Sequence, residues 1–189
     1  PNDQIASTGL KLNYHLDNNG SSYSTSYIPG KWYNKESQKS IEGNLLGAVS
    51  IKQLGPNQAQ MNKNISSSPE KRIDQFIANI TLPDQNDKIS ERASGWIRIS
   101  DKHRAISVGI RHFIEEYPKE ITISPEIQEL TAYNWSPNAN PMIFSRTNSE
   151  VDRGQVGNFA TGLTKTSELV YYFEDLNHND SSRKIINSF

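Results

Sequence analysis

Between Gly95 and Ser124 the chain writes out two strands, the turn that joins them, a crowded corner and the start of a third strand. Ile97 and Ile99 alternate with Trp96, Arg98 and Ser100. After a tight connection at Asp101 to Arg104 the same period resumes at Ile106, Val108 and Ile110. A period of two throws successive side chains to opposite faces, so this stretch predicts a β-hairpin with one apolar face. Such a face needs a second apolar layer over it. With 34% hydrophobic residues and a mean hydropathy of −0.71, the buried layer must be thin and the loops long. The expected fold is all-β: one antiparallel β-sandwich domain over residues 1–189, with long loops and at most one or two short helical turns.

Other segments carry the same signal. Leu10, Leu12, Tyr14 and Leu16 predict a half-buried strand, and Asn18-Asn19-Gly20 a turn. Tyr23 and Tyr27 mark a strand and bend, Leu45 to Gln53 the next strand, and Gly55 to Pro69 a loop. Residues 70–82 fit a helix face or a strand face; β-branched content and the stop at Pro83 favour a strand over 76–82. Residues 83–94 are expected to be a loop. Strands are predicted at Ile121 and Ile123, Leu130 to Asn134, and Glu168 to Phe173, with one helical turn at Phe113 to Tyr117. The residues from Glu174 onward, 174–189, are expected to be a solvated tail or linker. The chain opens on Pro1 without an initiator methionine, so a processed product or an excised piece of a longer protein is expected.

Composition removes several function classes. Twenty basic and 21 acidic residues leave a net charge of −1, with no basic excess to hold a nucleic-acid backbone. Cysteine is absent, which excludes disulfides, thiolate metal sites and cysteine nucleophiles. No apolar run reaches the length of a membrane span, so no membrane partner is expected. The four histidines, His15, His103, His112 and His178, lack zinc spacing, and no GxSxG elbow occurs. Gly157 to Gly162 has phosphate-loop glycine spacing, but Leu163 and Thr164 intervene before Lys165. Asp175 to Asp180 offers oxygen ligands at alternate positions, as a calcium loop does, without its glycine or closing glutamate. No metal and no cofactor is assigned.

The corner Arg111-His112-Phe113-Ile114-Glu115-Glu116-Tyr117-Pro118-Lys119 holds two cations, an imidazole, two carboxylates and a phenol. Such a set can bind an acidic sugar, with arginine forking onto a carboxylate while aromatics cover sugar faces. It can equally be an ion-paired corner between strands, anchored by Phe113 and Tyr117.

Ala93-Ser94-Gly95-Trp96, the strand Ile106 to Ile110, and Arg111-His112-Phe113 through Tyr117-Pro118-Lys119 resemble the middle domain of exo-rhamnogalacturonan lyase-like proteins. Gly162-Leu163-Thr164-Lys165-Thr166-Ser167-Glu168-Leu169-Val170-Tyr171-Tyr172-Phe173 is similar to that family's next landmark. The resemblance covers about residues 90–175. Ile114 stands where the family pattern has a tryptophan, and Ser167 where it has a histidine. The resemblance implies a supersandwich-like fold between a small β-barrel and an α/α toroid, which would be partners on the same polypeptide. It implies β-elimination on an acidic, pectin-type polysaccharide outside the cytoplasm, secreted or periplasmic, with the isolated domain inactive. For that chemistry Arg111 and Lys165 are candidates to neutralise the uronate carboxylate, and His112 or Tyr117 to move the proton. Trp96, Lys119 and Glu168 are candidate substrate contacts. Arg98 reads as a solvent-facing strand charge. The alternatives are a non-catalytic carbohydrate-binding module, using Tyr23, Tyr27, Trp32, Tyr33 and Trp135, and a purely structural sandwich.

Overall fold

A computed structural model describes residues 3–17, 20–28, 38–56, 76–83, 86–90, 92–139, 142–144 and 166–177. Thirteen strands run along the described chain: β1 (Asp3–Ile5), β2 (Thr8–Asn13), β3 (Ser22–Ile28), β4 (Lys39–Asn44), β5 (Val49–Pro56), β6 (Phe76–Thr81), β7 (Lys88–Ser90), β8 (Arg92–Ser100), β9 (Arg104–Ile110), β10 (Lys119–Ser124), β11 (Glu129–Trp135), β12 (Met142–Phe144) and β13 (Leu169–Asp175). A single 3-10 turn at Pro125–Ile127 is the helical structure among the described residues. Every strand pair is antiparallel.

Two sheets stack. One has six strands in the order β2-β11-β10-β5-β6-β7, the other five in the order β13-β9-β8-β3-β4, and β1 pairs with β12 as a separate ribbon. Alternation decides what lies between the sheets. Val49 and Ile51, Ile80, Ile121 and Ile123, and Leu130 point in from the six-stranded sheet. Tyr23, Ile97 and Ile99, and Val108 and Ile110 meet them from the other. The fold is the all-β sandwich that the periodicity predicts.

The predicted hairpin is β8 and β9, with Ile97 opposite Val108 and Ile99 opposite Ile106. Asp101 builds its turn. One carboxylate oxygen accepts the backbone N–H of His103 and of Arg104, both at 2.7 Å, and the other accepts that of Asp17 at 3.0 Å. Burial alone would raise the Asp101 carboxyl, but these three backbone bonds and the nearby Arg104 charge hold it below its ordinary value.

Several boundaries differ from the sequence reading. The expected strand at Leu10 to Leu16 ends at Asn13, opposite Glu129; Tyr14 still gives its N–H to Gln128 O at 2.9 Å, but Gln128, at φ +51°, is no longer extended. Leu45 to Ala48 is not strand but the crossing from one sheet to the other, and β4 precedes it. The expected loop 83–94 contains β7 and the first residues of β8. The one helical turn expected at Phe113 to Tyr117 is present as a single turn, closed by Glu116 N–H to His112 O at 3.0 Å and not continued into a helix. Glu174 is not solvated tail. It lies in β13, buried, and its carboxylate takes Nε of Arg98 at 2.7 Å. Arg98 is correspondingly not solvent-facing, with a side chain only 15% exposed.

Candidate site at the corner between the sheets

The corner 111–118 is the crossing from β9 to β10, at one end of the sandwich. A segment turning across the end of a core would bury carbonyls without partners, and three buried polar side chains prevent this. Gln53 of β5 directs its amide nitrogen at Phe113 O (2.7 Å), Glu116 O (3.0 Å) and Ile114 O (3.1 Å). Arg92 of β8 donates to Ile114 O at 2.8 Å. Lys119 of β10 donates to Arg111 O at 3.0 Å and pairs with the Glu116 carboxylate at 2.8 Å. Phe113, 2% exposed, plugs the core beneath them. The Tyr117–Pro118 peptide is cis, and Ser136 N–H closes on Pro118 O at 3.2 Å.

Held this way, the corner turns its ionisable groups outward. His112 has φ +57°, a left-handed conformation that histidine adopts more readily than most residues, and its side chain is 58% exposed. Its Nδ1 lies 3.9 Å from the Glu115 carboxylate, a contact that is ionic when the imidazole is protonated. Arg111 gives its backbone N–H to Glu168 O at 3.0 Å and its Nη1 to the Glu168 carboxylate at 2.7 Å. That hydrogen bond, with the carboxylate's charge, raises the Arg111 pKa further above its ordinary value, so the cation is permanent. Both side chains remain more than half exposed.

The bend and the approach to β13 therefore meet. Between them lies a hollow of about 150 Å³, lined by Arg111, His112, Glu116, Lys119, Thr166, Ser167 and Glu168. Tyr117 is 45% exposed but does not line it. Lys119, expected to touch substrate, is 1% exposed and is the floor, its ammonium spent on Arg111 O and Glu116. Lys165 lies outside the described residues, as do Trp32, Tyr33, His178 and the glycine-rich run before Lys165. Trp96 faces a different hollow, on the outward side of the five-stranded sheet.

The residues that fix the corner, Gln53 and Arg92, carry no motif. Gln53 did leave a trace: it falls in phase with Val49 and Ile51 on the inward face, where a polar residue demands a buried partner. Of the aromatics expected to serve a binding module, Tyr23 is core, Tyr27 packs against the core, and Trp135 is half-buried. In the acidic run from Asp175, Asp175 Oδ1 accepts both the backbone and the side-chain nitrogen of Asn177 at 2.9 Å, and residues 178–180 lie outside the described residues. Among the described residues, no group of three or more His, Asp or Glu side chains is placed to hold a metal ion.

The family model described as the PcRGLX-like protein central β-sandwich domain matches residues 83–181, just over half of the 189-residue chain. The chain belongs to this family. It is the exo-rhamnogalacturonan lyase-like family that the motifs at residues 93–119 and 162–173 resemble. No curated protein matches the chain. The matched part of this PcRGLX-like domain runs from before β7 through β13 and takes in both sides of the corner hollow. The glycine of its Gly95-Trp96 pair has a clear task, since a Cβ at Gly95 would stand 2.2 Å from Phe113 Cβ.

Proposed function

We propose that this PcRGLX-like domain supplies one wall of an acidic-polysaccharide site in a polysaccharide lyase-like enzyme, and that the corner hollow is that wall. The supporting observation is the permanent Arg111 cation beside an outward imidazole on a corner whose backbone is pinned by Gln53, Arg92 and Lys119. A fixed cation at the mouth of a small hollow suits the carboxylate of a uronate unit, and preorganisation lets it act on developing charge without rearrangement.

In β-elimination the proton next to the uronate carboxylate leaves to a base, and its electron pair forms the carbon–carbon double bond. The neighbouring glycosidic C–O bond breaks, and the departing oxygen takes up a proton. Arg111 neutralises the enolate charge that grows on the carboxylate. Glu168 holds one edge of the guanidinium and leaves its other N–H groups for substrate. His112, which lines the hollow, is better placed than Tyr117 to accept the proton. Lys119 positions the corner instead of touching glycan, and Lys165, three residues before Glu168 in sequence, is a second cation for the same carboxylate. The other wall would come from a neighbouring domain, an α/α toroid in the architecture that the family resemblance implies. A polysaccharide substrate of this kind places the domain outside the cytoplasm, secreted or periplasmic.

The test is turnover of pectic and other acidic polysaccharides by the protein that carries this domain, followed by ultraviolet absorbance of the unsaturated product. Arg111→Ala is expected to lower kcat/KM by roughly a hundredfold or more, and His112→Ala to lower kcat. Unchanged turnover in both variants would remove the corner from the reaction.

A further inference from the structure

A second hollow, of about 540 Å³, lies on the outward face of the five-stranded sheet. Its lining includes Trp96 and Arg98 of β8, Ser24 of β3, and Gln38, Glu42 and Asn44 at or beside β4. The register explains why a hollow forms there. Ser24 sits between Arg98 and Glu42, and Ser22 between Ser100 and Asn44. Short serines on the middle strand make a floor, and longer side chains on β8 and β4 make the walls.

The cation of this groove is less accessible than that of the corner: the Arg98 side chain is 15% exposed, that of Arg111 58%. Arg98 is already matched by the buried Glu174 carboxylate at 2.7 Å, and Glu42 stands at the opposite wall. Among the described lining residues Arg98 is the one cation, and a polyanion would find it shielded by Glu174. What the groove offers is hydroxyls, amides and one carboxylate around a partly exposed indole. A neutral sugar is complementary to that set: its ring presents an apolar face to stack on tryptophan and an edge of hydroxyls that both donate and accept. The volume falls within the roughly 300–1,000 Å³ of small-ligand sites.

We infer that the outward face of the five-stranded sheet binds a neutral oligosaccharide, with Trp96 as the stacking platform and Arg98, Glu42, Asn44 and Gln38 reading the hydroxyls. This goes beyond the corner reading, which concerns an acidic unit at a separate hollow with no lining residue in common.

Calorimetric titration of the 189-residue chain with neutral gluco-, galacto- and xylo-oligosaccharides, and with an oligogalacturonate as the acidic counterpart, tests it. At least one neutral oligosaccharide is expected to bind, with an affinity insensitive to salt. Trp96→Ala should weaken that binding about tenfold or more. Asn44→Ala and Glu42→Gln, at exposed positions on the rim, should weaken it too, and they keep the test open if Trp96→Ala does not fold. Arg111→Ala should leave it intact. Failure of every neutral oligosaccharide to bind, or binding indifferent to Trp96, Glu42 and Asn44, would overturn the inference. Binding of oligogalacturonate alone, abolished by Arg111→Ala, would favour the corner and still defeat the groove.

Discussion

Gly95 sits at φ +71° with the Phe113 side chain where its own Cβ would be. A single missing methyl thus lets the corner's aromatic plug close against β8. Gly95→Ala combines left-handed strain with overpacking and is expected to cost about 3 kcal/mol or more in urea unfolding. The clash is first with Phe113 Cβ and then with its ring, so Phe113→Gly, which removes both, should couple to Gly95→Ala by at least ~1 kcal/mol in a double-mutant cycle. Tyr14 is another residue with a readable consequence. Burial pushes its phenol up to about 12 from 10.0, and its hydroxyl has no hydrogen-bond partner among the described residues. Its folded pKa lies above the unfolded one, so the neutral phenol's share of stability is complete below pH 10.0 and disappears as pH rises through about 12. Tyr14→Phe should be neutral or slightly stabilising at neutral pH and should flatten the alkaline end of the stability profile, as thermal melts across pH would show.

At the scale of elements, β13 is an edge strand that meets β9 across seven residue pairs, from Leu169–Ile110 to Asp175–Arg104. The Arg98–Glu174 bond reaches over β9 to tie this edge to β8. The Glu174 side chain is 2% exposed, so removing the cation would strand a buried carboxylate. Arg98→Ala is therefore expected to lower stability by about 3–5 kcal/mol, and Glu174→Gln in that background to recover part of the loss, measured by denaturant midpoint. Alternation with Ile97 and Ile99 assigns Arg98 to the outward, solvent-side face. The alternation was right about the face. It could not show that a carboxylate 76 residues away would arrive on the same face and cover it.

Across the whole molecule, the corner joins the two sheets, and its carbonyls are held from both sides: Gln53 and Lys119 from the six-stranded sheet, Arg92 from the five-stranded one. Gln53→Leu keeps the size of the side chain and leaves buried carbonyls without their donor. It is expected to cost about 3 kcal/mol, with secondary and tertiary circular dichroism signals lost together, since the corner belongs to the common core. The sandwich itself was legible because alternation is local: Ile97 to Ile110, Ile121 to Ile123 and Leu169 to Phe173 each announce a strand from their own neighbours. The family likeness likewise lay in short runs, Ala93 to Trp96, Ile106 to Ile110, Arg111 to Lys119 and Gly162 to Phe173. Sheet order, the burial of Lys119 and the separation of Trp96 from Arg111 into two hollows were not legible, because each depends on segments far apart in the chain. Period-two patterning by itself determined that the chain folds into strands with one apolar face. Only the tertiary structure decided which charges were consumed in holding the corner and which were left to meet a ligand, because hydrogen-bond partners are assigned by proximity in space and not by order along the backbone.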